Sequence, residues 1–262
     1  KARDAEAIRA YQRLLSETPN NPEAPLIQLG IYESLQSMDK TAKAVETLAA
    51  TLDNYGPKSE WASNYSGDKA EFQNMMKVLE ETGAKVAFFY HASAQKGSNK
   101  ALYNHSLVLY DALIKNFPDH ADRKKFLFYR AEVLYGQKKW LEAANSYMDA
   151  SKIAPKDKMT DEAVYNALLA LDELTSRVDK IQRFTEEEQK KVDLSPKEIP
   201  VGEARFIEIA QFYVKEYPKG SRLVDVQYRI AAIYYRYHHF DKALELFRGI
   251  ALEHPKHRSA PT

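Results

Sequence analysis

Cysteine is absent from all 262 residues. That excludes disulfides, thiolate metal sites and a cysteine nucleophile together. It suits an oxidising compartment such as the periplasm without requiring one. Charge of one sign is also lacking: 38 Lys and Arg against 37 Asp and Glu leave a formal net charge of +1, which offers no counterion-release hold on nucleic acid. No apolar run approaches the roughly 18 residues of a membrane-spanning helix. Glycine is scarce, with 9 residues, and none forms a phosphate-cradling loop or a G-x-S-x-G nucleophile elbow. The remaining composition, 44% apolar and 29% charged, is that of an ordinary folded protein long enough to bury a large core.

The chain instead carries a repeat. Prolines that follow helical apolar runs stand at Pro19, Pro57, Pro118, Pro155, Pro218 and Pro255, spaced by 38, 61, 37, 63 and 37 residues. A unit of about 37 residues therefore recurs, with two intervals enlarged. Phe240, Ala243 and Phe247 precede Pro255 at the distances at which Trp140, Ala143 and Tyr147 precede Pro155 and Tyr103, Ser106 and Tyr110 precede Pro118. Ala7 and Tyr11 keep the last two of these places before Pro19. On a helix this phrase is aromatic, small, aromatic, stop. The small residue admits a neighbouring helix, the aromatics fill the space beside it, and proline cannot continue the helix. In the second unit either Ala42 or Ala44 fills the small position.

Ahead of each phrase lies a second amphipathic run, such as Leu127, Ala131 and Leu134, or Val226, Ile230, Ile233 and Tyr237. Ser221, after Gly220, is the expected N-cap of the latter. No stretch alternates with period two, so no strand is predicted. Each unit reads as a helix hairpin that must stack on its neighbours to bury its apolar face.

Helix A, a short turn, and helix B with aromatic, Ala, aromatic and Pro in fixed register resemble the tetratricopeptide repeat (TPR). The resemblance runs from Ala5 to Pro255 and is strongest over Phe88–Pro155 and Ser221–Pro255. The expected fold is thus all-α, a TPR-like right-handed superhelix of stacked hairpins over 1–262, with insertions at 58–83 and 175–202. The 37-residue spacing and the endings "FP", "YP" and "HP" are similar to TPR proteins of the bacterial envelope, the BamD- and CpoB-like group and the TPR lipoproteins of gliding-motility complexes. The resemblance implies a non-enzymatic scaffold in the periplasm that binds outer-membrane or periplasmic protein partners, with no cofactor and no metal. The chain opens on a helix B and ends at "KHRSAPT", where another helix A would begin, so a longer array is expected. Three alternatives stay open: an α-superhelical accessory region of a cell-wall hydrolase, a helical glycosidase, and a cytosolic peptide-sensing TPR regulator.

Carried over residue by residue, the concave groove of the family falls on His91 and Gln95; on Lys125, Phe128, Glu132 and Tyr135; on Glu162 and Asn166; and on Tyr228, Tyr235 and Arg236. The chaperone-binding subclass grips a C-terminal carboxylate with Lys and Asn at the fifth and ninth positions of helix A. Those positions here hold His91 and Gln95, Phe128 and Glu132, or Tyr228 and Ala232, so that clamp is absent. Arg123, Lys124 and Lys125 open a helix and offer either a patch for an acidic partner or a solvated turn.

The first insertion reads as a loop carrying Trp61 and Tyr65, both candidate partner contacts, followed by an extra helix with Phe72, Met75, Met76 and Leu79. The second reads as a helix extension with a Thr185–Glu188 capping box and Glu186–Lys190 and Glu187–Lys191 pairs, then an extended stretch through Pro196, Pro200 and Gly202. His238 and His239 are neighbours, whereas helical metal pairs want i,i+3 or i,i+4 spacing. They align with Lys138 and Lys139 in the turn between helices A and B, so a helix corner is predicted there.

Overall fold

The computed structural model describes residues 2–97, 99–154, 157–175 and 193–256. Among them every regular element is an α-helix and no strand occurs. The Thr185–Glu188 capping box and the Glu186–Lys190 and Glu187–Lys191 pairs lie outside the described residues. The chain divides into two compact units, Lys1–Gln137 and Lys138–Thr262.

The first unit holds α1 (Ala2–Glu17), α2 (Ala24–Ser37), α3 (Thr41–Tyr55), the single turn α4 (Glu60–Ser63), α5 (Lys69–Gly97), α6 (Lys100–Asn116) and α7 (Arg123–Gly136). Helix α1 packs on α2, α2 on α3, α3 on α5 and α6, α5 on α6, and α6 on α7. Leu48, Leu52, Leu79, Leu109, Tyr110, Leu113 and Phe126 form the centre of its core. Two glycines mark close helix approach. A Cβ on Gly30 would stand 2.9 Å from the Tyr11 ring, and one on Gly83 would stand 3.0 Å from Leu52 and 3.1 Å from Leu113. The second unit holds α8 (Trp140–Lys152), α9 (Lys158–Thr175), α10 (Val201–Glu216), α11 (Leu223–Arg236) and α12 (Phe240–Glu253). Each of these packs on the next.

The repeat read from the prolines is visible in the backbone. Asp39, Lys138 and His238 are left-handed, with φ of 60°, 62° and 61°. Each stands five residues before a buried alanine, Ala44, Ala143 or Ala243. Ala44 is therefore the small residue of the second unit, while Ala42 is exposed. At two of these corners the helix closes with a Schellman pattern. Lys40 N–H donates to Leu35 O at 2.9 Å, and His239 N–H donates to Tyr234 O at 2.9 Å. The connections from helix B to the next helix A repeat as well. Thr18, Phe117 and Tyr217 each donate back four residues, and Asn21, His120 and Gly220 each donate back to them.

Three local expectations are corrected. Ser221 caps nothing: α11 starts at Leu223, with Arg222 at the N-cap and no side-chain cap. The extra helix of the first insertion is not separate but runs without a break into helix A of the next unit, as the 29-residue α5. Its apolar stripe (Met75, Met76, Leu79, Ala84, Ala87) stays in helical phase across Gly83, so nothing terminates it. The extended stretch of the second insertion ends at Pro200, and Gly202 lies inside α10. Pro200 fits the helix start because a proline there sacrifices no intrahelical hydrogen bond.

Candidate protein-binding site

The residues carried over to the groove stand on α5 and α7 in the first unit and on α9 and α11 in the second. In the first unit His91 on α5 and Glu132 on α7 come together, with Nε2 and Oε2 3.5 Å apart. On the other side of the ring, Nδ1 and the Tyr110 hydroxyl share a hydrogen bond at 3.2 Å. Rings of Tyr103, Tyr110 and Tyr129 surround the imidazole. Burial disfavours the imidazolium and pushes the His91 pKa down to about 4. Burial likewise drives the Tyr110 hydroxyl far up. His91 and Phe128 are buried and serve packing, Glu132 and Tyr135 are half-buried, and Gln95 and Lys125 are exposed.

The cationic run at the start of α7 is spent inside the unit. Arg123 Nη1 donates to Ile114 O at 2.6 Å, Lys124 is buried, and Lys125 Nζ pairs with Asp122 at 2.5 Å. That pairing, with its hydrogen bond, holds the Lys125 pKa above the usual range. Of the three cations only Lys125 is exposed, so the run is no open acidic-partner patch.

In the second unit Glu162 is exposed and pairs with Lys158 at 3.5 Å, while Asn166 is half-buried. Tyr228 and Tyr235 lie two turns apart on α11 and are 41% and 61% exposed. Each rests edge-on against an aromatic of α12: Tyr228 on Phe247 at 5.5 Å and Tyr235 on Phe240 at 5.4 Å between ring centroids. Arg236 turns inward, and its Nη1 pairs at 2.5 Å with the carboxylate of Glu203, which is buried on the first turn of α10. The Tyr237 hydroxyl also hydrogen-bonds Glu203, and burial with that bond pushes its pKa up to about 12. The α9 aromatic Tyr165 is covered by the Arg222 guanidinium, 3.4 Å from its ring centroid. Sequence reasoning missed Glu203 and Arg222, since nothing in their local pattern announces a partner on another helix.

Trp61 and Tyr65 are not displayed. Trp61 is buried, donates from Nε1 to Asn21 O at 3.0 Å, and packs among Tyr55, Tyr65 and Phe72. Tyr65 is half-buried against Phe72. The insertion thus folds its aromatics back onto its own unit.

His238 and His239 hold the α11–α12 corner against the extended segment before α10. His238 Nδ1 donates to Ser195 O at 3.2 Å and His239 Nε2 to Lys197 O at 2.9 Å. Lys197 N–H returns a bond to Tyr237 O at 2.9 Å. The predicted corner is present, and its imidazoles act as anchors for a segment about forty residues away in sequence. Among the described residues no group of three or more His, Asp or Glu side chains could hold a metal ion, and no helix is long and apolar enough to cross a membrane. Neither a scan against protein-family models nor a search of curated proteins returns a match.

Proposed function

We propose that the chain is a TPR-like scaffold, a superhelix of stacked hairpins that binds a partner protein without catalysing a reaction. The observation that carries this reading is the exposed Tyr228–Tyr235 stripe on α11, backed by Phe247 and Phe240. Tyrosines held by aromatic neighbours offer large contact area and a polar tip at little entropic cost, which suits recognition of a peptide or helix. The recurring left-handed corners at Asp39, Lys138 and His238 support the repeat architecture. The resemblance to envelope TPR proteins points to a periplasmic assembly of outer-membrane or cell-wall components.

The test is crosslinking and affinity capture of the tagged protein from native cells. Affinity for each captured partner is then measured with the wild type and with a Tyr228→Ala/Tyr235→Ala variant. The reading expects an envelope protein whose affinity falls at least about tenfold in the variant, with helicity retained by circular dichroism. Unchanged affinity refutes the groove, and capture of cytosolic proteins alone refutes the compartment.

A further inference from the structure

Helices α1 and α3 both pack on α2, and a cavity of about 310 Å³ opens between the three. Its floor is apolar. Ile31 and Leu35 of α2 are buried there, and half-buried Ile8 of α1 and Met38 after α2 complete it. Its charged wall comes from Lys40, the N-cap of α3, and Lys43 in the first turn of that helix. Both lysines are exposed, and neither ammonium has an ion pair or hydrogen bond among the described residues. No aspartate or glutamate lines the cavity. A chain of nearly balanced charge thus sets two cations without acidic partners beside an apolar floor.

The walls are three consecutive helices, and each is packed on its other sides without closing the cavity. The lining face of α1, marked by Ala5, Ile8 and Gln12, lies roughly 150° around the helix from the exposed Leu14. Another helix laid over Leu14 therefore leaves the cavity open. On its far side α3 packs on α5 and α6.

This lining selects its ligand. An apolar chain gains by leaving water for the floor, where Met38 adapts to its shape. An anionic head is attracted by the two ammonium groups, a cationic head is repelled, and a neutral head gains little from them. Ligand pockets span about 300–1,000 Å³, so a cavity at the small end of that range suits one short chain.

We propose that the cavity binds a free amphiphilic anion, its single apolar chain on the Ile31–Leu35 floor and its carboxylate or phosphate head at Lys40 and Lys43. This goes beyond the scaffold reading and does not depend on it.

The experiment is a titration of the full chain, with isotope-labelled methyl groups, followed by NMR at low salt. The probes are octanoate and octyl phosphate; acetate, octanol and octyltrimethylammonium are the controls. Octanoate, octyl phosphate or both are expected to shift the methyls of Ile8, Ile31, Leu35 and Met38 saturably, with a Kd of about 1 mM or below. The tighter of the two identifies the head. Acetate lacks the chain and octanol the charge, so each binds at least about fivefold more weakly, and the cationic probe does not bind. Lys40→Glu/Lys43→Glu, on two exposed residues, weakens the tighter probe at least about tenfold with unchanged circular dichroism. No saturable shift of these methyls by about 10 mM of either anion, octanol binding as tightly as the anions, or an affinity unchanged by the double reversal overturns the proposal.

Discussion

At the scale of single residues, the polar groups that matter are the ones packing has taken out of water. His91 is the clearest. Its folded pKa of about 4 lies below the value of about 6.5 expected for an unfolded histidine, so the unfolded chain binds more protons between these limits. Stability contributed by the neutral imidazole is therefore complete above pH 6.5 and is lost as pH falls toward 4. The loss amounts to about 3 kcal/mol by pH 4. Urea unfolding of wild type and His91→Gln from pH 7 to 4.5 measures it: the variant, which cannot titrate, is expected to show a shallower decline, and parallel curves would refute the assignment. The Glu203–Arg236 pair makes a second case. Removing the guanidinium strands a buried carboxylate, so Arg236→Met is expected to cost about 3 kcal/mol or more. The double variant Glu203→Gln/Arg236→Met recovers most of that loss in the same unfolding assay.

At the scale of helices, the repeat works through corners and close approaches rather than through strong intrinsic helix signals. Asp39, Lys138 and His238 take a left-handed conformation that glycine would adopt more easily, and a buried alanine follows each at a fixed distance. Helix α5 shows why an insertion need not interrupt a unit: it lengthens helix A by keeping the apolar phase. Its Gly83 sits where α3 and α6 press in, so Gly83→Val forces a side chain against Leu52 and Leu113. An overpacking cost of about 1–3 kcal/mol is expected, read as a lowered midpoint of thermal unfolding. An unchanged midpoint would mean that the crossing is looser than 3.0 Å contacts imply.

At the scale of the whole molecule, two compact units each bury a core, and the large apolar side chains left exposed are unevenly spread. Tyr228, Tyr235, Leu244 and Leu252 all stand on the α11–α12 hairpin. The scaffold proposal rests on the tyrosines of α11, which Phe247 and Phe240 of α12 hold from behind. Tyr228→Ala/Tyr235→Ala, on two exposed residues of one helix, reports on partner affinity.

The hairpin register was legible in the sequence because it is local. Proline, a small residue and aromatics at fixed distances on one helix are read from spacing alone, and the cores around Tyr110, Tyr147, Ile230 and Ile233 followed from that spacing. The corner at His238 and His239 followed from the same alignment. The structure decided whatever depends on chain brought from far away. Trp61, a candidate contact in the sequence, is closed in by Tyr55 of α3 and Phe72 at the start of α5. The two histidines acquired partners at Ser195 and Lys197, and Glu203 acquired Arg236 and Tyr237. Exposure was settled in the same way, since Leu244 and Val45 occupy one register and differ only in whether other helices cover them. Periodicity reports which face of a helix is apolar; what lies against that face is set by tertiary packing.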